Sequence, residues 1–238
     1  MATLGEMATG VAHELNQPLS VIKTSSSFLL KKVRKKEPIR DDIIKTLAEE
    51  IDSHVDRASK IIGHMREFGR KSDVKREKVI VTEPLEKALE IFSQQLKLRE
   101  ITVTKEFEKD LPPILADPNR LEQVFINLLI NARDAIEKRS AYADQKNMAK
   151  EISLKTSSKD GGTTVKIEVR DTGIGIPKLI LDKIFEPFFT TKGVGKGTGL
   201  GLSISYGIVQ DYGGRIHVET KEGEGSNFII QFPAWDKI

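Results

Sequence analysis

Asn127, Asn131 and Asp134 are spaced i, i+4 and i+7 in a stretch that Leu121, Val124, Phe125, Leu128, Leu129, Ala132 and Ile136 predict to be one helix. The apolar residues claim one face, and the two carboxamides and the carboxylate share another. Such a face suits hydrated Mg2+ and phosphate oxygens, because a small hard cation takes oxygen ligands and keeps several waters. An ordinary polar helix face has the same pattern. Downstream, the strand-like run 163–170 ends in Asp171-Thr-Gly173-Ile-Gly175-Ile176-Pro177. A carboxylate there can accept from an exocyclic amine such as that of adenine, and the glycines let backbone approach a flat ring. A plain turn is the competing reading.

Phe185-Glu-Pro-Phe188-Phe189-Thr-Thr191-Lys192 comes next, and five glycines then fall in the nine residues from Gly193 to Gly201. The second stretch includes Gly197, Thr198, Gly199, Leu200 and Gly201 and continues to Leu202. Its backbone N–H groups lead into a helix N-terminus, where anions bind. The order of residues is not the Walker phosphate-loop pattern. Three apolar rings beside a glycine-rich loop suggest a lid that closes over a ligand. A glycine-rich surface loop with aromatic anchors reads equally from the same residues.

His13 offers a nucleophile. Leu4, Ala8, Val11, Leu15, Pro18, Ile22, Ser25 and Leu29 alternate in steps of four and three, a heptad seam. With Leu15 at position a, His13 falls at f, farthest from the seam. An outward imidazole with an ordinary pKa of about 6.5 keeps a neutral, nucleophilic fraction near neutrality. Glu14 is adjacent, and Gln17, at i+4, shares the face of His13. Pro18 leaves the Glu14 carbonyl without its helical partner and predicts a bend. His54 sits on a second seam and reads as packing. His64 and His217 have no comparable setting.

Elements must position these groups. The second seam runs Ile44, Leu47, Ile51, His54, Ala58, Ile61, Met65 and Phe68, and Glu37-Pro38 separates it from the first. Two helices and a short turn make an antiparallel hairpin. A single hairpin buries its seam poorly, so a homodimeric four-helix bundle is expected. The basic run from Lys31 to Lys36 reads as a solvated helix end that complements the dipole. Lys71-Ser72-Asp73 reads as a linker, dividing the chain into a hairpin over 1–71 and a second domain over 72–238. There, strands are expected at 79–82, 101–107, 151–157, 163–170, 214–220 and 226–232, and helices at 84–98, 119–140 and 199–212. They mix without a βαβ repeat, which makes the fold α+β. A net charge of +3 argues against nucleic acid as a partner. The absence of cysteine excludes disulfides and thiolate metal sites. No run reaches the roughly 18 apolar residues of a membrane span. The expected location is cytoplasmic, with any membrane attachment through segments outside this chain.

Together the motifs resemble those of the GHKL ATPases, the superfamily of histidine kinases, type II topoisomerases, some chaperones and mismatch-repair ATPases. The Asn127–Asn131 region resembles the N box, Asp171-Thr-Gly-Ile-Gly the G1 box, Phe185-Glu-Pro-Phe-Phe the F box and Gly197-Thr-Gly-Leu-Gly the G2 box. Val11-Ala-His13-Glu14-Leu-Asn-Gln17-Pro-Leu resembles the H box of histidine kinases. The resemblance implies an α/β sandwich of the Bergerat type with ATP between the N-box helix and a lid. It implies Mg2+ at Asn127 and phosphate contacts from Asn131 and the lid. Adenine recognition falls to Asp171. Asp134, Gly173, Gly175, Ile176, Phe185, Thr191, Lys192 and the G2-box residues fall within the implied nucleotide site. His13 would accept the γ-phosphoryl group, Glu14 would take its proton, and a receiver domain of a response regulator would receive the group on an aspartate. Gln17 could orient a water for hydrolysis of the partner's aspartyl phosphate, although many relatives carry threonine or asparagine there. A clamp-type ATPase and a nucleotide-binding scaffold without transfer are the rival readings.

Overall fold

In the computed structural model, residues 2–69, 76–141, 149–192 and 197–235 are described; for 2–14, 60 and 64–69 the backbone alone is described. The expected linker at 71–73 and the lid residues 193–196 lie outside this set. The chain forms two compact units, Met1–Ser72 with Pro187–Leu200, and Asp73–Glu186 with Gly201–Ile238.

In the first unit, α1 (Ala2–Arg34) and α2 (Asp41–Gly69) pack as the expected hairpin. Pro18 and Ser25 of α1 and Ala58 and Ile61 of α2 are buried, as the seams predict. The seam positions Leu4, Ala8, Val11, Met65 and Phe68 fall where only backbone is described. Ile44, expected in the seam, is instead exposed in the first turn of α2. Leu19, Leu30, Val33, Val55 and Ile62 are exposed as well, a second apolar stripe that the hairpin does not cover. Lys31, Lys32 and Arg34 close α1, and Asp41 and Asp42 open α2, each complementing its helix dipole. Lys32 also bridges to Glu37 at 2.7 Å across the turn.

In the second unit a five-stranded sheet runs in the order β2 (Thr102–Phe107), β4 (Glu151–Lys159), β5 (Thr164–Asp171), β7 (Gly225–Pro233), β6 (Arg215–Lys221). β2 and β4 are parallel, and the other pairs are antiparallel. A separate pair joins β1 (Glu77–Val79) to β3 (Ile114–Ala116). The first strand was expected over 79–82. It ends at Val79 because Thr82 already begins α3 (Thr82–Leu98), with Pro84 tolerated in the first turn. β3 was not expected.

Alternation along β4, β5 and β7 buries Ile152, Leu154, Val165, Ile167, Val169, Phe228, Ile230 and Phe232. Helix α4 (Pro118–Ser140) packs on β4, β5 and β7, flanked by α3 and by α5 (Gly201–Asp211). Asp117 caps α4, its side chain accepting from Asn119 N at 2.9 Å and Arg120 N at 3.4 Å, with Pro118 at the first helical position. This cap fixes where the Asn127 face begins. Among the described residues no helix is long and apolar enough to cross a membrane.

Candidate functional site

The apolar stripe of α4 is buried as expected, from Leu121 to Ile136. Asn127, Asn131 and Asp134 are half-buried on the face left over. The Asn127 Nδ2 donates to the Gly201 carbonyl at 3.1 Å and lies 3.3 Å from Ser205 Oγ. Ser205 Oγ itself donates to the Gly201 carbonyl at 2.9 Å, so the first turn of α5 holds the amide nitrogen. The Asp134 carboxylate accepts from its neighbour Arg133 at 2.6 Å, and Arg133 in turn donates to Gln95 Oε1 at 2.9 Å. Sequence pattern gave no sign of Ser205 or Arg133, since both contacts depend on how helices meet.

Asp171 ends β5 and is only 3% exposed. Its Oδ1 accepts from Gly173 N at 2.7 Å. Burial pushes its pKa up to about 6; the backbone N–H groups of Gly173 and Ser226 and the charges of Arg139 and Arg170 oppose that shift without cancelling it. The neighbouring glycines are there for space. A Cβ on Gly173 would meet Ala135 at 2.5 Å. Gly175, at φ +69°, would meet the Lys221 carbonyl at 2.1 Å. Gly225, not anticipated, is as tightly placed: its Cβ would lie 2.0 Å from the Asp171 carbonyl. Ile174 N donates to the Ala135 carbonyl at 3.2 Å and Ile176 N to Thr220 Oγ1 at 2.9 Å. These bonds fasten the G1-type turn to α4 and β6. The Phe185 ring packs on Tyr206 of α5, with centroids 5.4 Å apart.

Two stems of the expected lid are described in the first unit. Phe188 and Gly199 both take left-handed backbone conformations, at φ 66° and 67°. A Cβ on Gly199 would lie 2.3 Å from the Phe188 carbonyl carbon, and one on Gly197 3.0 Å from Thr190 Oγ1. The stems therefore touch at a narrow neck. Thr191 is exposed, Lys192 N donates to Thr190 Oγ1 at 3.1 Å, and Leu200 is buried. Leu200 N donates to Thr198 Oγ1 at 3.4 Å, and Leu202 is half-buried in α5.

His13 and Glu14 lie within α1, where only the backbone is described. Gln17 is exposed one turn later, and its Oε1 accepts from Arg57 Nη2 of α2 at 3.3 Å. Arginine has no acceptor, so the amide must turn its oxygen toward Arg57 and its NH2 elsewhere. His54 is half-buried in the hairpin, as a packing residue should be, and His217 is exposed on β6. The side chain of His64 is outside the described set.

Residues 116–236 match the family of histidine kinase-, DNA gyrase B- and HSP90-like ATPases. Residues 3–73 match the His Kinase A phospho-acceptor domain. The chain belongs to the histidine kinases, and it corresponds to their catalytic core. It is 37% identical over 236 residues to the sensor kinase CckA of Brucella abortus, which covers 98% of this chain and 24% of that protein. It is 34% identical over 233 residues to the sensor histidine kinase ZraS of Escherichia coli K12, covering 98% of this chain and 46% of that one. The chain thus spans less than half the length of these curated relatives. Among solved structures it is similar to the histidine kinase ThkA in complex with response regulator protein TrrA. That match has a TM-score of 0.71 and 27% identity over 98% of this chain and 63% of that one. The nucleotide-free catalytic domain of ThkA matches at a TM-score of 0.55 and 31% identity, over 67% of this chain and 97% of that domain.

Proposed function

We propose that this protein is an ATP-dependent histidine kinase that phosphorylates His13 and passes the group to an aspartate of a response regulator. The observation that carries the reading is the buried Asp171 carboxyl, fastened against the Asn127 helix and joined in one chain to a His13-bearing hairpin. In the step proposed, an imidazole nitrogen of His13 bonds to the γ-phosphorus and the bond to the β-phosphate oxygen breaks. Glu14 takes the ring proton, and ADP leaves. Such a transfer is chiefly positioning and charge stabilisation. Asn127 fits a hard cation through its side-chain oxygen, its Nδ2 being turned to the Gly201 carbonyl, and Asn131 is assigned to phosphate. Bound Mg2+ would neutralise phosphate charge there. Labelling with γ-labelled ATP, followed by mapping, should place acid-labile phosphate on His13; label elsewhere overturns the assignment.

Asp171 sets a pH dependence. Its ionised form is the one that accepts from the adenine amine, so nucleotide affinity should fall about tenfold between pH 7 and pH 5. The folded state holds this proton more tightly than the unfolded chain. The group's contribution to stability is therefore whole below pH 3.8 and lost as pH rises through about 6. Asp171→Asn should accordingly raise the melting temperature of the nucleotide-free protein at pH 7.5 while weakening ATP binding. A lower melting temperature for that variant would contradict the assignment.

We infer that the functional division follows the hairpin, 1–71, and the ATP-binding domain, 72–238, and that the exposed stripe Leu19, Leu30, Val33, Val55 and Ile62 meets its copy in a homodimer. Light scattering at micromolar concentration should give twice the chain mass; a monomer refutes it. Gln17 is assigned to dephosphorylation of the partner's aspartyl phosphate. With its oxygen turned to Arg57, its NH2 has no partner among the described residues, which suits it to a phosphoryl oxygen. Gln17→Glu keeps an Arg57 contact but loses those donors, and should slow dephosphorylation roughly tenfold or more. An undiminished rate with a phosphorylated receiver that the protein itself has labelled would remove the assignment.

A further inference from the structure

We propose that Arg76 is a positioning residue for phosphoryl transfer, pinning the first described residue of the second unit to the C-terminal end of α5. The inference rests on the kinase reading above. The end of α5 shows why an arginine belongs there. Gly213, at φ 69°, turns the chain so that Gly213 N donates to the Gln210 carbonyl and Gly214 N to the Val209 carbonyl, each at 2.9 Å. Those bonds satisfy two of the carbonyls that every helix end leaves over. The next one, on Asp211, accepts from Arg76 Nη2 at 2.9 Å. A cation at that end also complements the helix dipole.

The ring of Tyr212, 6% exposed, supplies the second hold. The Arg76 guanidinium stands 5.6 Å from its centre and the Arg120 guanidinium 5.5 Å. Arg120 comes from the first turn of α4 and bridges to Asp211 at 2.8 Å. Arg120 and Asp211 therefore join α4 to α5 whether or not Arg76 is present. Arg76 adds only the incoming chain to this junction.

The placement gives the contact its purpose. Six residues separate Arg76 from the last residue of α2, Gly69, and α2 is the partner of the helix that carries His13. At its other end α5, 11 residues and about 16 Å long, receives Asn127. Arg76 is the first described residue of the second unit; with its contact released, the first one held is Glu77, where β1 begins, one residue or up to about 3.5 Å of chain further on. A misplacement of about 1 Å at a transfer step can cost a hundredfold in rate, so slack of that size matters. The same contact is solvent-exposed, so its loss costs the fold little.

The test uses the full chain, Mg2+ and γ-labelled ATP. Arg76→Ala should slow His13 labelling about tenfold or more at saturating ATP, with no change in KM for ATP or in calorimetric ATP affinity. Arg76→Lys, which can still donate to a carbonyl and lie over a ring, should recover part of the rate. An Arg76→Ala protein that labels at the wild-type rate overturns the inference. So does one whose KM, affinity and melting temperature deteriorate together, because that marks a merely structural role. A wild-type chain that takes no label sinks the kinase reading and the inference with it; an active wild type with an indifferent Arg76 sinks the inference alone.

Discussion

His13→Gln should take up no phosphate from ATP while binding Mg-ATP as the wild type does. Glutamine nearly matches the size and polarity of histidine but has no nitrogen lone pair able to form a phosphoramidate. Its amide lone pair is delocalised, so attack on phosphorus is lost rather than slowed. Losing the nucleophile of a covalent step typically removes at least about three orders of magnitude in rate. Position f keeps the side chain out of the seam, so the hairpin should fold unchanged. The measurement is label incorporation at saturating ATP, paired with calorimetry of nucleotide binding. Acid-labile phosphate persisting at wild-type level in the variant would move the acceptor to His54, His64 or His217.

Asn127→Asp should abolish productive Mg-ATP binding for two reasons that act together. The amide nitrogen that donates to the Gly201 carbonyl at 3.1 Å and reaches Ser205 at 3.3 Å becomes a carboxylate oxygen facing a carbonyl oxygen. That contact turns from attraction to repulsion at the point where α5 begins. A negative charge is also added where triphosphate oxygens are expected. Two unit charges about 4 Å apart repel by about 4 kcal/mol at an effective dielectric of about 20, so an affinity loss of at least about a hundredfold follows. A carboxylate is a stronger ligand for a hard cation, but tighter metal binding does not restore the lost donor. Calorimetry and turnover decide the matter together. Wild-type affinity and wild-type labelling in Asn127→Asp would remove Asn127 from the site.

The parts of the fold that were legible in the sequence are those with a long period. Two heptad seams announced the hairpin, and the stripe from Leu121 to Ile136 announced α4 almost to its ends. β3 escaped because three residues, Ile114–Ala116, carry no period at all; pairing with Glu77–Val79 defines that strand. The end of β1 was misplaced for a related reason, since Ile80 and Val81 look like strand residues until Thr82 starts a helix. At the site, residue types were visible and their partners were not. Asp171 could be read as a strand-end carboxylate, but its raised pKa needs the burial that only the folded unit supplies. Gly225 stands among ordinary turn residues, and nothing local says that Asp171 will lie against it.

The neck formed by Phe188 and Gly199 separates the foundation of the loop from its tip. Both residues hold left-handed backbone conformations, and there is no room at Gly199 for a Cβ. Lys192 and Gly197, the described residues on the two stems, already stand side by side, a Cβ on Gly197 falling 3.0 Å from Lys192 Cδ. With two chain ends held together, each doubling of the length that joins them costs only about 0.6 kcal/mol in closure entropy. Length and composition at the tip can therefore drift from one descendant sequence to another without disturbing what stands beneath. The tip becomes an exchangeable cassette, open to grafting and to selection, while the glycine at its base is barred from change.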